Sequence, residues 1–191
     1  MNEQIVSPEL NGYIKNIERL DIEDSVELIN NSTIDHAIPL IAKLVARGRR
    51  EVLILTGSLN PKIYTDRSVM DALGVFLLGR SGALKIVVQK SVEDVPDDEI
   101  ATSEAGLVRR LKHQFGSSIV DRVSVSRASE RVRMGVKCHF LVVDDKGFRY
   151  EPNHDRPEHV AVACFNMPDV AKKLKETFEA FVKTSQPIAL S

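Results

Sequence analysis

The sequence predicts an α/β fold, a mixed-sheet α/β sandwich formed by one domain. Two patterns predict it: short apolar runs alternate with amphipathic helical segments, and a strand-rich stretch then leads into one closing helix. The length of 191 residues suits a single domain with a sizeable core. Hydrophobic residues make up 43% of the chain and charged residues 28%, which is ordinary for a globular protein.

The N-terminal stretch has the least regular pattern. Residues 1–12 mix polar residues with a proline and a glycine, which predicts a loose arm. Residues 13–31 are ambiguous, because acidic residues interrupt apolar residues that alternate as in a strand: Leu20, Ile22, Val26 and Leu28. We therefore treat residues 1–31 as an N-terminal arm or small appendage, 32–185 as the domain and 186–191 as a tail.

The first clear element is a helix that Ser32 or Thr33 can cap. Its apolar residues recur at helical spacing: Ile34, Ala37, Ile38, Ile41, Leu44 and Val45. The apolar run Val52–Leu55 follows and ends in Thr56-Gly57-Ser58. An uninterrupted run of this kind is typical of a buried strand in a parallel sheet.

The alternation continues to the end of the chain. Further strands are predicted at 84–88, 119–125, 140–143, 147–150 and 160–163, and further helices at 67–78 and 100–115. Pro168 lies near the first turn of the closing helix, where its missing N–H costs nothing. The buried face predicted for this helix consists of Val170, Leu174, Phe178, Phe181 and Val182.

Composition excludes several classes of protein. A net charge of −1 gives no global basic field that would attract nucleic acid or an anionic membrane. The two cysteines, Cys138 and Cys164, form no Cys-x-x-Cys pair, which argues against a disulfide scaffold and a structural zinc site. The chain has no signal-peptide pattern and no apolar stretch long enough to span a bilayer. We expect a cytoplasmic protein without a cofactor or a metal.

Four segments together resemble one half of a phospholipase D-like fold: Arg50–Gly57, Leu84–Val88, Phe140–Asp144 and Val160–Phe181. A closer resemblance is to bacterial proteins of unknown function that look like single, inactive halves of this fold. It rests on Thr56–Pro61 with Tyr64, Gly147–Pro152, Asp155-Arg156 and Phe165-Asn166. The resemblance covers about residues 35–184 and implies a fold rather than an activity. It also implies a homodimer, because halves of this fold pair by two-fold symmetry.

Active members of that family carry His-x-Lys, then four residues, then Asp. This chain has Lys137, His139 and Asp144 at those positions, so the first two roles are exchanged. The exchange moves the imidazole by about 6–7 Å along a strand, whereas nucleophilic attack tolerates a misplacement of about 1 Å. Alignment on His139 instead puts Leu141 where the lysine is needed and Lys146 where the aspartate is needed.

The resemblance with a broken motif implies a non-catalytic binding or regulatory module. Its ligand, a protein partner or a phosphate-bearing molecule, would occupy the groove of the lost active site. The candidate ligand-binding residues are Lys137, His139, Ser58, Asn60, Tyr64 and Arg149. Two alternatives stay open. One is a metal-independent phosphodiesterase or nuclease that acts as a homodimer through Lys137, His139 and Asp144, and the other is a structural subunit without a ligand.

Three other segments invite weaker hypotheses. Residues 122–137 form a basic segment that could contact nucleic acid, but it lacks the interleaved aromatic residues that stack on bases. The loop 151–159 is rich in histidine and carboxylates without the spacing of a metal site, and Asp155 and Arg156 are expected to form an ion pair that holds it. Thr56–Asn60 lacks the second glycine and the lysine of a phosphate-binding loop.

Overall fold

The structure is a computed structural model that describes residues 7–79, 81–89, 104–153 and 160–188. Its described residues form one eight-stranded sheet with the strand order β1-β7-β6-β5-β2-β3-β4-β8. The strands are β1 (Ile29–Asn31), β2 (Glu51–Thr56), β3 (Ala83–Val88), β4 (Val123–Arg127), β5 (His139–Val143), β6 (Gly147–Glu151), β7 (Ala161–Cys164) and β8 (Gln186–Pro187).

The helices connect these strands and cover the sheet. They are α1 (Pro8–Ile22), α2 (Ile34–Arg47), α3 (Pro61–Tyr64), α4 (Arg67–Leu78), α5 (Glu104–Phe115), α6 (Glu130–Gly135) and α7 (Pro168–Val182), with a 3₁₀ helix at Ser117–Arg122. None of the helices in the described part of the chain is long and apolar enough to cross a lipid bilayer.

The sheet is mixed, as predicted. Strands β2, β3 and β4 are parallel to one another. Strands β5, β6, β7 and β1 continue the sheet on the other side of β2, each antiparallel to its neighbour. The predicted mixed-sheet α/β sandwich is confirmed.

The side chains of the central strands alternate between two apolar cores. Val52 and Ile54 pack with α1, α2, α4 and α5 on one face, while Leu53 and Leu55 pack with α6 and α7 on the other. Because β2 is buried on both faces, its sequence is a continuous apolar run. The face that carries α2 is called the α2 face below.

The N-terminal stretch packs on the domain. Helix α1 begins at Pro8, where the Ser7 hydroxyl accepts a hydrogen bond from the Leu10 N–H at 3.2 Å. Ile17 and Leu20 are 0% and 1% exposed against the core, whereas Ile22 is 85% exposed. Residues 8–12, predicted as part of a loose arm, are therefore helical, and the ambiguous pattern of residues 13–22 belongs to the same helix. Burial here follows helical spacing, and residues 1–6 lie outside the described residues.

Other differences are local. The strand predicted at 119–125 is a 3₁₀ helix up to Arg122, and β4 begins at Val123. The short helices α3 and α6 were not predicted, because elements of four to six residues show no clear period. In α7 the predicted residue Phe178 is buried at 1% exposure, but Val182 is 37% exposed because it lies in the last turn. Part of the predicted tail forms β8, which pairs with β4 at the sheet edge.

Candidate functional site

A pocket of about 300 Å³ lies where β2 ends and β5 begins. Three parts of the chain form it: the loop after β2, the start of α2, and the ends of β5 and β6. Its polar lining consists of Ser32, Thr33, Thr56, Ser58, Asn60, Tyr64, His139, Arg149 and Glu151. Its apolar lining includes Ala37, Ile41, Ile63 and Leu141. The volume is at the lower end of the range for small-molecule sites.

The pairing of β5 with β6 brings three polar side chains together. His139 lies opposite Glu151, and Leu141 lies opposite Arg149. Directly paired residues share a face, as do residues two apart on one strand, and Leu141 packs into the core of the α2 face. His139, Arg149 and Glu151 therefore all point to the α2 face.

These three side chains form a largely buried polar cluster. The Glu151 Oε2 atom lies 3.5 Å from Arg149 Nη1 and 3.9 Å from His139 Nδ1. The side chains of Arg149 and Glu151 are 12% and 9% exposed, so water screens this ion pair weakly. Charged groups at such depth occur in structural ion pairs and in functional sites.

Arg149 is held from the other side by Asn31 of β1. The Asn31 Oδ1 atom accepts hydrogen bonds from Arg149 Nε at 3.3 Å and from Nη2 at 3.0 Å. The contact spans β7, where Ala161 and Ala163 lie beneath it. Both are 0% exposed, and their small side chains leave room for the guanidinium above the strand.

The buried Tyr64 and the half-buried Tyr13 lie close to Arg149. Burial raises the pKa of Tyr64 to about 12, which the charge of Arg149 opposes and that of Glu151 reinforces. Burial likewise raises the pKa of Tyr13 to about 12, again against the charge of Arg149. Both phenols are therefore neutral near pH 7. The Tyr13 ring stacks on His36 in the first turn of α2, with the ring centroids 4.2 Å apart.

Local hydrogen bonds shape the two chain segments at the pocket mouth. The Thr33 hydroxyl accepts from the His36 N–H at 3.1 Å and caps α2. The Thr56 hydroxyl donates to the Ser58 carbonyl at 2.8 Å. The Asn60 Oδ1 atom accepts from the Lys62 N–H at 3.0 Å and caps α3. These bonds fix the backbone, as expected for Ser, Thr and Asn at turns and helix starts.

The structure brings most of the predicted ligand-binding residues together. Ser58, Asn60, Tyr64, His139 and Arg149 all line the pocket, so their proximity is as expected, while their role stays a prediction. Lys137 precedes β5 and is not among the described residues that line the pocket.

Asp144 lies away from the pocket, at the opposite end of β5. At about 3.3 Å per residue, the strand separates it from His139 by about 16 Å. Its carboxylate accepts from the N–H groups of Arg49, Arg50 and Glu51 at 3.0, 2.9 and 3.0 Å. The three residues of the phosphodiesterase alternative, Lys137, His139 and Asp144, therefore do not come together in one site of this chain. The predicted pair Asp155–Arg156 lies outside the described residues.

Sequence reasoning missed Glu151, Asn31 and Tyr13 as parts of this cluster. A signal for Glu151 was present, because two charged residues two positions apart in an otherwise apolar strand share one face. Asn31 gave no such signal, because its contact with Arg149 depends on the pairing of strands that are far apart in the sequence. Within the described part of the chain, no group of three His, Cys, Asp or Glu residues could hold a metal ion.

The cluster offers donors to an anionic ligand. A guanidinium, a neutral phenol and hydroxyl or amide groups surround one cavity, and the guanidinium is largely withdrawn from water. Glu151 can orient the imidazole of His139 across the strand pair. Leu141 follows His139 by two residues on the same face of β5 and supplies no charge.

Comparisons with known proteins place the chain among others of this architecture. The sequence model of a family described as a domain of unknown function (DUF7931) matches residues 33–189. No curated protein matches the sequence.

Among solved structures, the phospholipase D family member Nuc from Salmonella typhimurium is similar at 13% identity and a TM-score of 0.58. The match covers 86% of this chain and 97% of that one. NucT from Helicobacter pylori is similar at 13% identity and a TM-score of 0.54, over 85% of this chain and 100% of the other. Phosphatidylserine synthase from Haemophilus influenzae matches at 14% identity and a TM-score of 0.53, over 85% of this chain and 39% of that enzyme. At such low identity these likenesses describe the fold alone.

Proposed function

This chain belongs to the family described as a domain of unknown function (DUF7931) and has a phospholipase D-like fold, and we propose that it is a non-catalytic module that binds a phosphate-bearing ligand. The observation that supports this most is Arg149 at the wall of a pocket of about 300 Å³: its side chain is 12% exposed, and Asn31 accepts from its guanidinium on one side. Phosphate oxygens are strong acceptors for such a donor.

Further groups of the pocket suit the same ligand. The hydroxyls of Ser32, Ser58 and Tyr64 line it together with the start of α2. A helix of 14 residues carries partial positive charge at its N-terminus, which favours an anion there. Glu151 offsets the charge of Arg149, so affinity depends on placed donors more than on net charge.

We propose that the chain is not catalytic because its His-x-Lys motif is broken. Leu141 occupies the position where an active member would place its lysine relative to His139, and Asp144 holds backbone N–H groups at the far end of the strand. The cation that shares the pocket with His139 is Arg149, whose charge Glu151 offsets at 3.5 Å, and not the lysine two residues along the strand that the motif requires.

Titration calorimetry with inorganic phosphate and with bis(p-nitrophenyl) phosphate tests binding. We expect wild-type protein to bind one of them, and Arg149→Lys to bind it at least about ten-fold more weakly, because lysine cannot present a fixed pair of donors. Lys62→Met, which removes an exposed cation that does not line the pocket, is the control and should bind like the wild type. Equal binding by Arg149→Lys and the wild type would contradict the proposal.

Hydrolysis tests the absence of catalysis. We expect no release of nitrophenol from the same diester, and no cleavage of labelled single- or double-stranded DNA, above the level of His139→Ala with EDTA present throughout. Turnover by the wild type that His139→Ala abolishes would replace the proposal with the alternative, a metal-independent phosphodiesterase.

That alternative is favoured by one contact, the approach of Glu151 to the imidazole of His139 within the pocket. Among the described residues that line the pocket, His139 supplies one such imidazole, so this alternative requires a homodimer that joins two pockets. A homodimer is also part of our proposal, and light scattering after size exclusion measures it. A monomer at micromolar concentration would rule out both the enzyme and the proposed homodimer, and would leave phosphate binding by a single chain.

A further inference from the structure

The position of Arg149 depends on a residue outside the matched part of the chain. The family match begins at residue 33, whereas Asn31 belongs to β1, which adds to the sheet edge beside β7. Asn31 is 2% exposed and its Oδ1 atom accepts both Nε–H and Nη2–H of the guanidinium.

The contact with Asn31 determines which donors of the guanidinium remain for a ligand. Arginine has five N–H donors in one plane. Asn31 takes the Nε–Nη2 edge, and Nη1 lies 3.5 Å from Glu151. The Nη1–Nη2 edge keeps an N–H donor on each nitrogen, and such an edge suits two oxygens of one anionic group.

The carboxamide of Asn31 is fixed by this arrangement. Its oxygen must face Arg149, because an amide nitrogen would oppose the N–H donors of the guanidinium. The Nδ2 atom is then left buried without a hydrogen bond to any of the residues that the structure describes. A buried donor without a hydrogen bond lowers stability, so holding the guanidinium in one orientation costs folding free energy at Asn31.

We propose that Asn31 is the positioning residue of Arg149, and that the segment 7–31 thereby forms part of the phosphate site. The inference rests on the proposed function. Without the Asn31 acceptor, the guanidinium is free to turn towards Glu151 and form a closed ion pair, which withdraws its donors from a ligand. Helix α1 supports the same arrangement, because Tyr13 stacks on His36 beside the start of α2.

Calorimetry with inorganic phosphate tests this on five proteins: wild type, Asn31→Ala, Asn30→Ala, Arg149→Lys and the double variant Asn31→Ala/Arg149→Lys. Asn30 is the matched control, since it is the neighbouring residue of the same strand and is exposed on the other face. We expect Asn31→Ala to weaken binding about ten-fold, the loss typical of hydrogen bonds to a charged group. Asn30→Ala should stay within about two-fold of the wild type.

The double variant separates positioning from a general effect on the fold. If Asn31 acts through Arg149, its removal changes affinity little once Arg149 is already lysine, so the two losses do not add. Additive losses would overturn the inference. Equal phosphate affinity of the wild type and Asn31→Ala would overturn the inference alone, whereas no binding by the wild type would overturn the proposed function and the inference with it.

A second readout needs no ligand. The Arg149 Nε–H signal in a ¹⁵N correlation spectrum, assigned by its loss in Arg149→Lys, should exchange slowly in the wild type and in Asn30→Ala, and should be lost in Asn31→Ala. If Asn31→Ala does not fold, Asn31→Asp replaces it. The aspartate keeps the acceptor and therefore the slow exchange, but its charge should weaken phosphate binding. A fast-exchanging Nε–H in the wild type would overturn the inference.

Discussion

At the scale of single residues, the pocket depends on charges that are withdrawn from water. Arg149 and Glu151 share a site where their side chains are 12% and 9% exposed, so water screens the attraction between them weakly. Arg67 and Asp71 form a pair of similar length, 3.6 Å, but the Arg67 side chain is 94% exposed. The two pairs differ in energy because water screens the second one.

Replacing Arg149 with methionine is therefore expected to lower the free energy of unfolding by about 3 kcal/mol, because the Glu151 carboxylate loses its guanidinium. Urea denaturation measures this change in the free energy of unfolding. Arg67→Met serves as the exposed control and should leave stability nearly unchanged. The pair Arg149→Met/Glu151→Gln should cost less than Arg149→Met alone, and a larger cost would contradict this account.

Asp144 has a structural role at the start of β2. Its carboxylate accepts three backbone N–H groups at the start of β2, and its backbone has a φ of 52°. Asp144→Ala should lower the free energy of unfolding by about 2 kcal/mol, through lost acceptors and a left-handed conformation that alanine disfavours.

Asp144→Asn should cost less, since asparagine keeps one acceptor oxygen and tolerates a positive φ. Thermal and urea unfolding of both variants measure this order. Phosphate binding should stay at the wild-type level in Asp144→Asn. An unchanged stability of Asp144→Ala, or a loss of binding without a loss of stability, would contradict the assignment.

At the scale of elements, helix α1 decides whether the N-terminal stretch belongs to the domain. Its inward residues are Tyr13, Ile17 and Leu20, at spacings of four and three. Leu20→Ala should lower the free energy of unfolding by about 3 kcal/mol, because a buried cavity is left. Ile22→Ala, two positions later on the exposed side, should change little. Similar effects of the two variants would mean that α1 does not pack as described.

The sequence pattern of α1 is ambiguous, whereas that of β2 is clear. Spacing of four and three was present at Tyr13, Ile17 and Leu20, but the alternation that begins at Leu20 competed with it. By contrast β2, buried on both faces, gave an unambiguous apolar run. Patterns are clear where one element is buried evenly, and ambiguous where a helix ends in an exposed apolar residue such as Ile22.

At the scale of the whole molecule, ion pairs tie α7 to the sheet. Lys175 donates to Glu51 and, at 3.1 Å, to Asp145, which also accepts from Arg50 at 2.7 Å. The hydrogen bonds from Lys175 and Arg50 hold the pKa of Asp145 below its ordinary value of 3.8. The stabilisation is present above about that pH and is lost as the pH falls through the lowered pKa.

Acid unfolding is therefore expected to depend on Asp145. Between pH 5 and pH 2, the free energy of unfolding should fall less steeply in Asp145→Asn than in the wild type, because one group with a lowered pKa is missing. Lys175→Met should reduce the slope in the same direction by removing the cation. Fluorescence- or circular dichroism-detected urea titrations at several pH values measure the slopes, and equal slopes would refute the role of this pair.

The sequence by itself determined the layers of this protein and the edge at which its polar residues collect. Strand and helix periods, together with the resemblance, predicted a mixed-sheet sandwich and placed Ser58, Asn60, Tyr64, His139 and Arg149 as candidates, all of which line one pocket. The sandwich could be predicted because burial patterns within single elements indicate it. The candidate residues came from the resemblance; Lys137, the sixth of them, does not line the pocket, and the binding role of all six stays a prediction.

Only the tertiary structure decided which of those groups touch. Asn31 and Arg149 are 118 positions apart and meet across β7, which allows the contact because its residues there are alanines. The distance of Asp144 from His139 likewise follows from the length of β5 and not from the motif's spacing. Contacts between distant strands depend on register and on side-chain volume in the strand between them, and no local pattern carries that information.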